Sequence, residues 1–378
     1  MSKPQDTKMK KYIDTDVYTE SKNRIKHIIH TFDKLYVCFS GGKDSLAVLH
    51  LVEEVYEELG IAEKINVIFR DEELIPDDVI EFVQSYYHSG KYNFYYYAVP
   101  LKSTKFILGK TYEYIQWDDN REWIREKPSF AITLKEGDNR VFDQYTMDAF
   151  CVEGVKGKIA FLTGIRADES LVRLNSCVVK KNENYINATK TPQVKLCKPI
   201  YDWSQDDIFL YFYKKNIKYC GIYDLQIINK DQLRVATPLH AESAKRFGKL
   251  KTLYPMFYQQ LVNVFPEMLV QEMYWDDFDR YAVAYQYPHT WQGIIDYIDE
   301  NIEDRKQAQL AIKKVLTCKK TRENKLAKGE GTHNMGGYPL LYVFKCILAG
   351  QYKRELQPTS KASQKDFEYE GMQWKSNE

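Results

Sequence analysis

The chain has 378 residues and a formal net charge of +1 at pH 7, so two domains are the natural expectation and no whole-molecule field favours nucleic acid or membrane. Hydrophobic residues make up 44 %, enough for a sizeable core, yet no apolar run approaches the roughly 20 residues that span a bilayer. The polar N-terminus and seven cysteines without a Cys-x-x-Cys pair predict a cytoplasmic protein with reduced thiols, no disulfide framework and no iron–sulfur cluster.

Ile25, Ile28 and Ile29 stand at helical spacing and predict a helix over 18–31, followed by an apolar strand at 35–39. After a Ser-Gly-Gly turn, Val48, Leu51, Val52, Val55 and Leu59 follow the i, i+3, i+4 pattern of a helix. A second strand is predicted at 65–69, a helix at 77–87, and further strands at 94–99 and 159–163. Strands alternating with helices imply an α/β fold, an open and mostly parallel sheet with helices on both faces. Residues 102–144, rich in tryptophan, tyrosine and charge, read as an insertion rather than sheet. From about 231 the pattern turns helical, punctuated by Pro255, Pro266 and Pro288. The expected domains are therefore 1–230 and a mostly helical 231–378, its polar tail flexible from about 358.

Open parallel sheets bind ligands at the carboxyl ends of their strands. Three polar segments converge there: the turn Ser40-Gly41-Gly42-Lys43-Asp44-Ser45, the acidic cluster Asp71-Glu72-Glu73, and the turn at Gly164. In the first, two glycines let the backbone approach an anion closely. The helix start behind it offers free N–H groups, Ser40 and Ser45 add hydroxyls, and Lys43 adds a point charge. It is not a Walker A loop, because Val37 and Asp44 stand where Gly and Ser or Thr would be needed.

Arg166 and Arg173 would share a helix face, and guanidinium forks suit phosphate or sulfate oxygens. Glu169 is placed to accept from a ribose or to orient an arginine. Asp71 is a candidate for ribose or Mg²⁺, with Asp44 the other candidate metal ligand. Trp203-Ser204 with Asp207 reads as a capped helix start. Trp117 and Trp123 flank a loop that either stacks on a base or packs the insertion down, and packing is the commoner use.

Three ordered motifs give the segment 18–220 its resemblance to the PP-loop, adenine nucleotide alpha-hydrolase-like proteins. Residues 40–45 resemble the PP-loop itself. Gly164-Ile165-Arg166-Ala167-Asp168-Glu169-Ser170, with Arg173 after it, looks like the G-I-R-x-x-E-S element of the phosphoadenosine-phosphosulfate (PAPS) reductase-like branch. Lys198-Pro199-Ile200 leading to Trp203 is similar to that branch's proline–isoleucine segment. Residues 234–240 resemble, more loosely, a C-terminal domain of unknown function that follows it.

The resemblance implies ATP or PAPS as substrate, with Mg²⁺. It would be held by Ser40, Gly41, Gly42, Lys43, Asp44, Ser45, Asp71, Gly164, Arg166, Glu169 and Arg173, with Lys43 and Arg166 catalytic. The implied chemistry is cleavage at the α-phosphate and adenylation of an acceptor the motifs do not identify. Two departures qualify this. The residues after Asp71 differ from the reductases' Asp-Thr-Gly, and the reductases' glutamate-cysteine-glycine segment is missing.

Sulfonucleotide reduction or sulfur transfer is thus an alternative, with Cys318 as its candidate thiol, since nearby lysines would lower its pKa. A further alternative is a nucleotide-sensing regulator that turns nothing over. It would contact a protein partner, or nucleic acid through Lys313, Lys314, Lys319, Lys320, Arg322, Lys325 and Lys328.

Overall fold

A computed structural model describes residues 13–178, 183–229, 235, 237–275, 281–329, 337–353, 356 and 364–371. The chain divides into two compact units, Met1–Trp275 and Asp276–Glu378.

In the first unit the strands are β1 (Lys34–Cys38), β2 (Asn66–Arg70), β3 (Asn93–Tyr97), β4 (Leu101–Ile107), β5 (Lys110–Gln116), β6 (Ile159–Leu162), β7 (Ile186–Ala188) and β8 (Val194–Cys197). Six of them form one sheet in the order β3-β2-β1-β6-β8-β7, parallel except for β7 at the edge. The expected mostly parallel sheet is therefore present. β1 lies in its middle, and Leu35, Tyr36 and Val37 are buried, as an interior strand covered on both faces requires.

The helices of this unit are α1 (Val17–Thr31), α2 (Lys43–Leu59), α3 (Asp77–His88), α4 (Gln144–Cys151), α5 (Leu171–Val178), α6 (Gln205–Lys215), α7 (Ile222–Ile228), α8 (Ala241–Ala244), α9 (Leu250–Leu253), α10 (Pro255–Val264) and α11 (Met268–Tyr274). On one face of the sheet Val37, Phe39 and Val67 pack with Ile25 and Ile28 of α1 and with Val48, Leu51, Val52 and Val55 of α2. On the other, Tyr36, Ile68 and Phe161 pack with Met147 and Cys151 of α4. α2 ends on Gly60, whose φ of +67° is the left-handed cap that glycine adopts without strain.

Two expectations change here. The insertion carries sheet of its own, because β4 and β5 pair antiparallel along their whole length. The division of the chain also falls after Trp275 rather than near 230. The reason is packing: Phe106, Tyr114 and Ile124 of the insertion form one core with Phe247, Phe257, Leu261, Phe265 and Met268. Backbone ties support it, since Phe106 N–H donates to Leu239 O at 2.9 Å and Leu108 N–H donates to Gln271 Oε1 at 2.7 Å.

The second unit is helical where it is described: α12 (Trp291–Asn301), α13 (Arg305–Ala327), α14 (Leu340–Leu348) and α15 (Gln364–Tyr369). Ile294, Ile298, Val315, Leu341, Val343 and Phe344 form its core. The tail expected to be flexible from about 358 contains α15, which buries Tyr369. Next to it, Glu370 takes both guanidinium nitrogens of Arg322, at 2.8 and 2.5 Å. Residues 357–363 and 372–378 lie outside the described residues, as do Arg234 and Ala236 of the segment 234–240. No helix among the described residues is long and apolar enough to cross a membrane.

Candidate nucleotide site

β1 delivers the chain to a turn that α2 continues, and the turn is tied to the helix by its own polar groups. Ser40 N–H donates to Ser45 Oγ at 3.1 Å, Ser45 Oγ to Gly42 O at 2.9 Å, and Gly42 N–H to Ser40 Oγ at 3.3 Å. Gly41 has a φ of +74°, and a Cβ there would lie 2.7 Å from Val83 Cγ2 of α3, so both backbone and space demand glycine. The turn after β6 rests on the first turn of α2. A Cβ on Gly164 would fall 2.5 Å from the Asp44 carbonyl carbon and 2.6 Å from Ser45 N.

Three charges meet at this contact. Lys43 is 2 % exposed, and its Nζ donates to Asp44 Oδ2 at 2.7 Å. Burial pushes the lysine's pKa down, against the pull of Asp44. Arg166 is 4 % exposed; its Nε lies 2.8 Å from Asp44 Oδ1. That contact is an ion pair without hydrogen-bond alignment, since neither atom has a hydrogen-bond partner. Arg166 Nη1 also donates to Asp168 Oδ2 at 2.8 Å, and its backbone N–H to Glu169 Oε2 at 3.2 Å. Glu169 pairs in turn with Arg173.

Around this cluster opens a cavity of about 850 Å³. Ser40, Gly42, Lys43, Asp44, Ser45, Gly164, Arg166, Glu169 and Arg173 line it, joined by Cys38, Asp168, Gln205 and Tyr223 among others. Most of the nucleotide-binding residues read from sequence are thus brought to one place. Gly41 faces α3 beneath the loop instead. The two arginines do not share a helix face. Arg166 precedes a 3-10 turn (Ala167–Glu169) and is buried, whereas Arg173 stands on α5 with its side chain 44 % exposed.

Asp71 does not line the cavity; its carboxylate is taken up elsewhere. Tyr96 Oη donates to it at 2.7 Å, Glu73 N–H at 2.9 Å, and Arg125 pairs with it. Glu73, buried at a φ of +57°, accepts from Arg121 and from Trp117 N–H at 2.6 Å. Trp117 Nε1 donates to Asp71 O at 2.7 Å. The acidic cluster therefore fastens the insertion to the edge of the sheet, and Trp117 is packed down within it.

Among the described residues no group of three or more His, Cys, Asp or Glu is placed to hold a metal ion. Asp44 and Asp71, the two candidate metal ligands, both have cationic partners.

Trp203 is buried and donates from Nε1 to Ser21 Oγ at 2.8 Å, while Ser204 and Asp207 form a capping box at the start of α6. Trp203, Ser204 and Asp207 are thus engaged in packing and capping. The expectation for Cys318 is corrected by burial: it lies in the core of the second unit, where its thiol is pushed up to about 11, and Lys314 only partly opposes this. The lysines around it do not form a uniform cationic face either, since Arg322 is buried against Glu370.

Sequence reading missed Tyr223, Gln205 and Cys38 in the cavity wall. Gln205 lies within the segment 198–208, whose motif gives it no ligand role, and Cys38 ends β1 just before the loop. Only the tertiary fold brings Tyr223 of α7 to it.

The chain is 30 % identical over 211 residues to the uncharacterised protein YbdN of Escherichia coli (strain K12), covering 52 % of each. It is 26 % identical over 97 residues to the adenosine 5'-phosphosulfate reductase of Staphylococcus haemolyticus, covering 26 % of this chain and 37 % of that one. The match thus spans about half the length of the first relative and less of the second. Among solved structures, the PAPS reductase of Candida auris in its phosphate complex aligns with a TM-score of 0.32 at 15 % identity, over 55 % of this chain and 84 % of that one. The FMN adenylyltransferase of Candida glabrata, with FAD and pyrophosphate, aligns at 0.38 and 14 % identity, over 57 % and 64 %. The U34-tRNA thiolase NcsA of Methanococcus maripaludis aligns at 0.30 and 15 % identity, over 68 % and 79 %. Residues 34–229, more than half of the chain, match the phosphoadenosine phosphosulfate reductase domain, and the chain belongs to that family.

Proposed function

We propose that the chain binds ATP or a related adenine nucleotide at the Ser40 to Ser45 loop and cleaves it at the α-phosphate. An acceptor oxygen bonds to the α-phosphorus, and the bond to the bridging oxygen breaks. Pyrophosphate leaves with the electron pair. The observation that carries this reading is the buried cluster of Lys43, Asp44 and Arg166 at the amino end of a 17-residue helix, inside a cavity that also presents serine hydroxyls.

Ser40, Ser45 and the loop hold the leaving phosphates, Lys43 offsets the charge that develops on them, and Arg166 with Arg173 orients the rest. Electrostatic positioning supplies most of the acceleration, as in other phosphoryl chemistry. Mg²⁺ fits this site as an ion arriving with the nucleotide, because it is commonly held by one or two carboxylates plus phosphates. Asp44, Asp168 and Glu169 are the carboxylates lining the cavity. Asp44, on the loop's own helix, would be the one to hold magnesium, which would add charge neutralisation to that of Lys43.

Sulfonucleotide reduction is the second reading, favoured by the family and by Cys38 in the cavity wall. It needs a thiolate, and burial pushes the Cys38 thiol up to about 12 despite Arg70 nearby.

Incubation with Mg²⁺ and ATP or PAPS, with products read by chromatography, separates the readings. AMP and pyrophosphate from ATP, lost in Lys43→Ala, are expected. Adenosine bisphosphate and sulfite from PAPS with a thiol donor would replace the proposal with reduction. Saturable nucleotide binding without product, together with salt-sensitive nucleic-acid binding, would replace it with a regulator.

A further inference from the structure

The N–H of Lys43 opens α2, and such free donors at a helix start are what a bound anion takes up. Here that donor is already occupied: Lys43 N–H donates to Tyr223 Oη at 2.7 Å. Tyr223 comes from α7, 180 positions further along the chain, is 1 % exposed and lines the cavity. Its hydroxyl sits directly over the loop, since a Cβ on Gly42 would come within 3.2 Å of it. Lys43 Nζ lies 5.7 Å from the centre of its ring.

A phenol oxygen that accepts one hydrogen bond still has a proton to give. Among the described residues the Tyr223 hydroxyl donates no hydrogen bond of its own. Burial pushes the phenol up against the opposing Lys43 amide, so the proton is retained at neutral pH. Accepting from the amide also polarises the O–H and strengthens it as a donor. A buried hydroxyl is therefore held at the phosphate loop with its proton unmatched, in a cavity whose cations are paired with Asp44, Asp168 and Glu169.

We infer that Tyr223 is a binding and positioning residue: its oxygen fixes the Lys43 amide, and its proton is donated to a phosphate oxygen of the bound nucleotide. The inference rests on the nucleotide reading above and adds to it a neutral donor that recognises the phosphate group.

Calorimetric titration of the full chain with ATP, with pyrophosphate alone and with adenosine tests it on wild type and Tyr223→Phe, with ligand-free thermal melting as the folding control. One hydrogen bond to a charged group corresponds to about ten-fold or more in affinity. The expected result is that loss for ATP and pyrophosphate, with adenosine affinity and the ligand-free melt unchanged. Wild-type affinity in Tyr223→Phe overturns the inference and leaves the nucleotide reading standing, whereas a wild-type chain that binds none of the ligands overturns both.

If Tyr223→Phe melts early, para-fluorophenylalanine at 223 sets a weak acceptor, without a proton, against the Lys43 amide. Continued loss of pyrophosphate binding supports the inference. Recovered binding assigns Tyr223 to propping the amide alone and overturns it.

Discussion

Gly164 is the residue at which the end of β6 meets the first turn of α2, and the space there admits no side chain. The atoms a methyl group would meet are backbone on both sides, at 2.5 and 2.6 Å, so neither can swing away. Gly164→Ala is expected to cost roughly 1–3 kcal/mol, as overpacking does, and to displace the start of α2. Denaturant unfolding and nucleotide titration check this, and a variant normal in both would mean the contact relaxes freely. Asp71 separates structural from ligand roles. Asp71→Asn weakens the buried pair with Arg125, for which breaking such pairs costs up to roughly 3–5 kcal/mol. A lower melting temperature with unchanged nucleotide affinity is expected; normal melting with lost affinity would return Asp71 to the ligand site. In sequence, Asp71, just beyond a strand, and Asp44, within the glycine turn, are both candidate metal ligands. What separates them is burial among Tyr96, Arg125 and Trp117, none of which is adjacent in the chain.

Elements that bury a face were readable because their periodicity is a direct imprint of burial. β1, α2, β2 and α3 lie where the apolar spacing placed them, within a few residues. β7 and β8, of 3 and 4 residues, are too short to show a period. At the start of α6, Ser204→Ala removes a cap and is expected to cost about 1 kcal/mol in denaturant unfolding; no measurable loss would show that Asp207 alone suffices there.

Glu54 joins three helices: it lies on α2 and accepts from Tyr18 of α1, and from Tyr211 at 2.8 Å and Lys215 at 3.2 Å on α6. Burial pushes its carboxyl up, but these hydrogen bonds outweigh it and hold the pKa below the ordinary value. A carboxyl lowered in the folded state stabilises the fold above its unfolded pKa, and that stability is lost as pH falls through the folded one. Glu54→Gln should therefore be less stable than wild type at pH 7 by about 1 kcal/mol, a value that allows for its partial exposure. The gap should close below about pH 4. Urea unfolding at both pH values checks this, and a gap independent of pH would show that the charge is not what holds the helices.

For the whole molecule, the placement of residues 241–274 decides what can stand alone. A chain ending at residue 275 keeps the core shared by Phe106, Tyr114, Phe257, Leu261 and Phe265, whereas one ending at 230 leaves the hairpin's apolar side uncovered. The longer chain is expected to melt in one cooperative transition and the shorter to aggregate or lose cooperativity. Calorimetry and light scattering distinguish them, and equal behaviour would mean the hairpin needs no cover.

The parallel sheet, its first helices and the glycine turn at residues 40–45 follow from sequence alone. Each depends on local chemistry: apolar period, glycine freedom, and hydroxyl and ammonium groups within one six-residue turn. Tertiary structure alone decided that Asp71 and Glu73 are fastenings, that Cys318 is buried, that residues 241–274 belong with the first unit, and that Tyr223 reaches Lys43. These are contacts between segments far apart in the chain, and burial and pairing at such distances leave no periodic trace in the residues themselves.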